Sequence, residues 1–186
     1  MCQIMATQLS AGAIVREKET GTLEQLFMTP VRRSELIIGK MLPYLVLTNI
    51  EFCIIALLMR TVFGVPVHGA FLRLLTLALP FVLSMIGLGL LISTKAATRE
   101  AAGQMTMGTV LPSVFLSGYV FPLDSMPKPF WCLAQVIPTT WLIDASRGVI
   151  LRGAGWSDLW PHAAALWAMA IASLVFSSFK VRKQLS

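Results

Sequence analysis

Charged side chains are scarce in this sequence. Only 13% of its 186 residues are Asp, Glu, Lys or Arg, whereas 56% are hydrophobic. The mean hydropathy of +0.74 lies well outside the range of ordinary soluble domains. These values exclude a soluble globular domain and predict an all-α integral membrane protein, a polytopic helical bundle.

Residues that carry enzyme chemistry are also few. The three cysteines, Cys2, Cys53 and Cys132, have no paired spacing, so neither a disulfide framework nor a zinc site is indicated. The two histidines, His68 and His162, are far apart and flank different spans. No G-x-x-x-x-G-K-[ST] phosphate loop occurs. We therefore expect no catalytic residues, no metal and no cofactor, and any ATP hydrolysis must take place on another protein.

The amino terminus lacks the basic region and the cleavage site of a signal peptide. Residues 1–15 instead resemble the second half of a membrane span. Four later apolar runs are each long enough to cross a hydrocarbon core of roughly 30 Å. We therefore predict one partial span and four full spans, at 41–59, 74–92, 104–120 and 163–179. In the second full span, Pro80, Gly87 and Gly89 are expected to bend or loosen the helix.

The distribution of Lys and Arg predicts the orientation, because basic residues stay on the cytoplasmic side. Ten fall on one side of the predicted spans: Arg16, Lys18, Arg32, Arg33, Lys40, Lys95, Arg99, Lys180, Arg182 and Lys183. Five fall on the other side: Arg60, Arg73, Lys128, Arg147 and Arg152. The segment 16–33 and the carboxyl terminus are therefore predicted to be cytoplasmic. The net charge of +6 is explained by anionic membrane lipid and needs no nucleic acid.

The segment 16–33, REKETGTLEQLFMTPVRR, is a dense block of charge of both signs. Thr22 to Gln25 fits a helix capping box, and Pro30 ends the short helix that it begins. A helix that only floats on anionic lipid would favour Lys and Arg on its polar face. This block carries Glu17, Glu19 and Glu24 as well. Acidic groups beside an anionic leaflet favour a protein partner.

Glu51 stands in the middle of the first full span. A carboxylate there costs about 2.5 to 3.5 kcal/mol on insertion scales, so it should face the bundle or a wet cavity. Tyr44, Thr48 and Glu51 share one helical face by their spacing. This stripe is a candidate substrate path for cationic or polar cargo. The alternative is a buried Glu51 that is protonated or hydrogen-bonded to a neighbouring helix.

Asp144 and Arg147 lie three residues apart in a mostly apolar segment. This spacing predicts an ion pair within one helix. A contact at an outer gate, or with lipid headgroups, is the alternative.

Four stretches together resemble the ABC-2 type transporter permeases, which are membrane subunits of ATP-binding-cassette exporters. They are REKETGTLEQLFMTPVRRSELIIGKMLPY, LISTKAATREAAGQM, LPSVFLSGYVFPLDSMPKPFW and IPTTWLIDASRGVILRG, in the order of the family. The resemblance implies that the first stretch holds a coupling element that docks on a separate ATPase subunit, formed by Glu17, Glu19, Gly21, Thr22, Leu23, Glu24 and Gln25. It also implies that residues 121–153 form re-entrant helices at the outer leaflet.

The resemblance further implies a permease that exports drugs, lipids or other hydrophobic compounds from a bacterial inner membrane, paired with a like subunit and two ATPase subunits. Full members carry an earlier span and an extracytoplasmic domain before the coupling element. This sequence shows neither, so it is expected to be a truncated half-gene, a fragment, or a chain with a misplaced start. Two alternatives remain open: a secondary transporter driven by an ion gradient, and a membrane or assembly protein that transports nothing.

Overall fold

Seven α-helices make up most of the computed structural model, which describes residues 1–20, 33–64 and 71–184. No strand occurs within these ranges, as the predicted all-α class requires. A short 3-10 turn, Leu123–Ser125, separates the fourth and fifth helices. In chain order the helices are α1 Cys2–Thr20, α2 Arg33–Thr61, α3 Phe71–Lys95, α4 Arg99–Leu116, α5 Lys128–Gln135, α6 Pro138–Arg152 and α7 Trp156–Gln184.

Three of these helices are long and apolar enough to cross a membrane, counting only the ranges above. The candidate spans are Met41–Thr61 in α2, Leu72–Lys95 in α3 and Trp156–Lys180 in α7. They contain three of the four predicted full spans.

The predicted span 104–120 corresponds to α4, but with different bounds. This helix begins at Arg99, where the Thr98 side chain caps it by accepting a hydrogen bond from the Ala101 N–H at 3.2 Å. It ends at Leu116, and Gly118 then adopts a φ of 80°. A positive φ is natural for glycine and not for other residues, so the chain leaves the helix earlier than the apolar run suggests. α4 is not among the three candidate spans.

α3 is the central helix of the bundle. In its most apolar stretch 61% of the residues are buried inside the protein, against 6% for α2 and 17% for α7. Its buried side chains, among them Leu77, Phe81 and Met85, form the main core together with Leu142 of α6 and Leu166 of α7.

Two glycines of α3 allow its neighbours to approach. A Cβ at Gly87 would lie 2.5 Å from the Ser173 Oγ of α7, and one at Gly89 would overlap the Ser10 Oγ and lie 2.5 Å from the Thr7 carbonyl oxygen of α1. Residues two apart on a helix point to nearly opposite sides, so α1 and α7 flank α3. Both glycines lie within the uninterrupted α3, so they serve as contact points between helices.

The two ends of the bundle differ in composition. α1 and α3 run in the same direction, since Thr7 lies against Met85 and Ser10 against Gly89. α7 runs with them, since Arg73 at the start of α3 binds Ala154 just before α7, and Gly87 further along α3 lies against Ser173. The end at which these three helices finish is called here the basic end, and it holds Arg16, Lys95, Arg99 and Lys180. The other end, called here the far end, holds the beginnings of α1, α3 and α7 and the two short helices α5 and α6.

Candidate functional site

The candidate site residues fall in three places: the last turn of α1 at the basic end, the middle of α2, and the middle of α6 at the far end. Of the predicted coupling element, only Glu17 and Glu19 belong to the described residues. Gly21, Thr22, Leu23, Glu24 and Gln25 lie outside them.

Glu17 and Glu19 are part of α1, which continues without a break to Thr20. The predicted boundary between a partial span at 1–15 and a coupling element from residue 16 therefore falls inside one helix. Both acidic residues extend the helix toward the segment 21–32.

Glu19 contacts another helix of the same chain. Its Oε1 accepts a hydrogen bond from the backbone N–H of Arg99, the first residue of α4, at 2.9 Å. The first N–H groups of a helix lack partners within the helix, and the helix dipole favours a negative charge beside them. Glu19 therefore joins the end of α1 to the beginning of α4.

The stripe Tyr44, Thr48 and Glu51 lies on the side of α2 that faces the bundle. Thr48 is 1% exposed, and its hydroxyl donates to the Tyr44 carbonyl oxygen at 2.8 Å. Tyr44 packs against the main core. The Thr48 hydroxyl is thus engaged within α2.

Glu51 lies at the contact between α2 and α1. Its carboxylate lies beside the Cys2 side chain of α1. Its Oε2 is buried and has no hydrogen-bond partner in the structure. A buried polar atom without a partner is costly and calls for an explanation such as a proton, an ion or a ligand.

Asp144 and Arg147 each bind a different partner in place of the predicted pairing within α6. The Asp144 Oδ2 lies 2.8 Å from the Nε2 of His162 on α7. The Arg147 guanidinium donates to the Gly118 carbonyl oxygen at 2.9 Å, in the turn that follows α4. Both side chains therefore connect α6 to other elements.

Further polar contacts make α6 the meeting point of the far end. The Thr140 hydroxyl donates to the Ala134 carbonyl at 2.7 Å, and the Trp141 indole N–H donates to the Gln135 carbonyl at 2.9 Å, which fixes the corner between α5 and α6. The Thr139 hydroxyl donates to the Gln3 side chain of α1 at 3.0 Å.

Sequence reasoning missed Gln3, Arg73 and His162. Gln3 also donates to the Ser113 Oγ of α4 at 2.5 Å, and Arg73 donates to the Ala154 carbonyl at 2.7 Å. A polar residue inside an apolar run was the available signal for Gln3, but nothing in the chain order shows which partners it meets. Within the described ranges no group of three or more His, Cys, Asp or Glu side chains is placed to hold a metal.

Comparison with known proteins finds one matching family and several similar permeases. A family model described as ABC-2 family transporter protein matches residues 1–179. The chain is similar to the probable multidrug ABC transporter permease YbhS of Escherichia coli K12, with 33% identity over 151 residues, which cover 81% of this chain and 40% of YbhS.

Two further relatives are also named as permeases. The inner membrane transport permease YhhJ of Escherichia coli K12 is 29% identical over 182 residues, covering 97% of this chain and 48% of YhhJ. The linearmycin resistance permease protein LnrN of Bacillus subtilis is 28% identical over 159 residues, covering 84% of this chain and 40% of LnrN. The chain thus spans less than half the length of these relatives.

Proposed function

Because this chain belongs to the ABC-2 family of transporter proteins, we propose that it acts as a membrane permease subunit of an ATP-binding-cassette exporter. In this proposal it moves drugs, lipids or other hydrophobic compounds out of the cytoplasm, and a separate subunit hydrolyses ATP. The observation that carries the proposal is the family match over residues 1–179, supported by relatives that are named permeases.

The proposed location is a bacterial inner membrane, with the basic end and the carboxyl terminus in the cytoplasm. The excess of Lys and Arg at the basic end supports this orientation. The far end exposes aromatic side chains of the kind that settle at the headgroup level, and these support its placement at the outer interface: Tyr119, Phe121, Phe130, Trp131, Trp156 and Trp160. Residues 121–153, which contain α5 and α6, would form the outer re-entrant segment.

The proposed docking element for the ATPase is the segment from Glu17 to Gln25. Its position is supported by α1, which carries Glu17 and Glu19 and ends at Thr20 at the basic end of the bundle. Two such permease chains, identical or related, would bind two ATPase subunits. Membrane lipid would cover the exposed apolar side chains of α2.

Coexpression with the ABC ATPase of the same organism tests this proposal. Inverted membrane vesicles that contain both proteins should take up ethidium only when ATP is supplied. Glu24→Lys should release the ATPase from the membrane by reversing a charge in the docking element. Glu100→Lys, an equal charge reversal at the beginning of α4, is the matched control and should retain it. Ethidium uptake by the wild type that does not depend on ATP would contradict the proposal. So would full retention of the ATPase by Glu24→Lys.

Glu51 is proposed to lie on the path of cationic or polar cargo, with Tyr44 and Thr48 supporting its position. Its unpaired buried oxygen supports this assignment. The same oxygen favours the second candidate function, a transporter driven by a proton or sodium gradient. In that case uptake would survive ATP depletion and stop when the gradient is collapsed.

Glu51→Gln keeps the size of the side chain and removes its charge. Under the exporter proposal it should change the uptake of cationic ethidium more than that of a neutral dye. An unchanged preference between the two dyes would contradict the placement of Glu51 on the cargo path. A chain that transports nothing would show neither uptake nor nucleotide-stimulated activity with the ATPase present.

At the far end, Asp144 and Arg147 are proposed to contribute to an outer gate. Their contacts with His162 of α7 and the turn at Gly118 support this, because each contact joins α6 to an element that must shift if the far end opens.

A further inference from the structure

α1 and α4 pack closely along their length and run in opposite directions. Near the basic end the contact is made by small side chains, Ala11 and Val15 of α1 with Ala102 of α4 and the adjoining Ala96, all of them buried. Small residues let two helices approach, which is the usual basis of helix association in membranes. Such a contact favours joint movement of the two helices.

The basic end of this pair is tied by Glu19. The Thr98 side chain caps α4 at Ala101, and the Glu19 carboxylate of α1 accepts from the neighbouring N–H of Arg99. The terminus of α4 is therefore held partly by its own cap and partly by α1. Glu19 is the second-to-last residue of α1, so this bond ties the end of α1 to the beginning of α4.

The far end of the pair is tied by Gln3. Its amide donates to Ser113 of α4 while its carbonyl oxygen accepts from Thr139 of α6. A side-chain amide can do both because it carries a donor and an acceptor. Gln3, Ser113 and Thr139 are 8%, 5% and 9% exposed, so little water competes for these bonds. Gln3 thereby links three helices.

We propose that α1 and α4 form one rigid unit, tied by Glu19 at the basic end and by Gln3 at the far end, which transmits a displacement of the basic end of α1 to α6. Glu19 and Gln3 are positioning residues in this scheme, and the bond from Glu19 to α4 is a second role beside its place in the proposed docking element. The inference rests on the proposed function for its biological meaning. The mechanical link itself is independent of transport.

Hydrogen–deuterium exchange on the detergent-solubilised chain tests the link without any partner. α4 is roughly 27 Å long at 1.5 Å per residue, so its two ends do not touch. Glu19→Ala should speed exchange at the first turn of α6 by about fivefold, the lower range of coupling between sites. Thr98→Ala removes a cap from the same terminus of α4 but leaves the tie to α1, and it should speed exchange only locally.

Transport then provides the functional readout in vesicles that also contain the ATPase. Glu19→Ala should move about fivefold less ethidium for each ATP hydrolysed. Because uptake is counted for each ATP hydrolysed, any loss of ATPase from the docking element leaves this ratio unaffected. Gln3→Leu should do the same, whereas Gln8→Leu, an exposed glutamine on α1, should not.

The outcomes separate the two proposals. Unchanged exchange at α6 in Glu19→Ala would overturn the rigid unit, even if transport is observed. Altered exchange at α6 with no ATP-driven uptake by the wild type would support the unit and contradict the exporter. If Gln3→Leu fails to fold, the exposed Glu19 still decides the matter, because its removal leaves the core intact.

Discussion

α2 and α3 look alike as sequences and behave differently in the structure. Their best spanning windows have mean hydropathies of 2.0 and 2.4. Only 6% of the α2 window is buried inside the protein, whereas 61% of the α3 window is. Both are apolar enough for a membrane, but α3 is enclosed by protein and α2 presents most of its surface to the surroundings.

The difference shows that the hydropathy of a helix predicts whether it can lie in a membrane. It does not predict whether lipid or other helices surround it. Lipid tails are as apolar as a leucine side chain, so a membrane helix gains little from burial in protein by hydrophobicity alone. What distinguishes α3 is close packing, since Gly87 and Gly89 allow α7 and α1 to approach it on opposite sides. α2 offers Leu47, Ile50, Ile54 and Leu57 instead, all exposed.

The largest difference between the two helices is expected when one leucine on each is replaced. Leu77 of α3 is 0% exposed and Leu57 of α2 is 58% exposed. Leu77→Ala should lower the free energy of unfolding by about 2–5 kcal/mol, because a cavity remains in packed protein. Leu57→Ala should change it little, because lipid or detergent fills the space. SDS titration of the solubilised protein, followed by tryptophan fluorescence, measures both. Equal losses would contradict the contrast between the two helices.

The second test fills the space beside a glycine. Gly89→Ala should cost about 1–3 kcal/mol, since the added methyl meets the Thr7 backbone, which cannot rotate away. Gly39→Ala on α2, where nothing lies within 4 Å, should cause no loss. The same titration applies. A stable Gly89→Ala protein would show that α1 is not seated against α3 at this position.

The smallest effect is expected at the far ends of the same two helices. Arg73 of α3 donates to the Ala154 carbonyl, and Arg73→Gln should cost about 1 kcal/mol by loss of this bond. Arg60→Gln replaces an exposed arginine at the end of α2 and should have almost no effect. Thermal unfolding in detergent compares the two variants. A larger loss for Arg60→Gln would reverse the expected order.

Much of the fold was predictable from local patterns. The spans at 41–59, 74–92 and 163–179 lie inside the candidate spans of the structure, because each is a continuous apolar run with clear ends. The fourth, 104–120, was displaced by two local signals: Thr98, which starts α4 early, and Gly118, which ends it. The apolar residues after Leu116 continue the run without continuing the helix.

The candidate sites were less predictable, because charge partners are chosen across the bundle. Spacing alone pairs Asp144 with Arg147, but His162 and the Gly118 carbonyl are the groups that meet them. Glu19 lies in a charged block of the kind expected of a docking surface. Only the packing of α1 beside α4 shows that its side chain binds the backbone N–H of Arg99.

The amino-acid order by itself determined that this protein is a set of apolar helices with a basic end, because hydropathy and charge are properties of short stretches. Which helix became the centre, and which polar groups met, was decided only by the tertiary structure. Close packing and hydrogen bonding depend on the shapes of residues that are distant in the chain, such as Ser10 against Gly89 and Gln3 against Thr139.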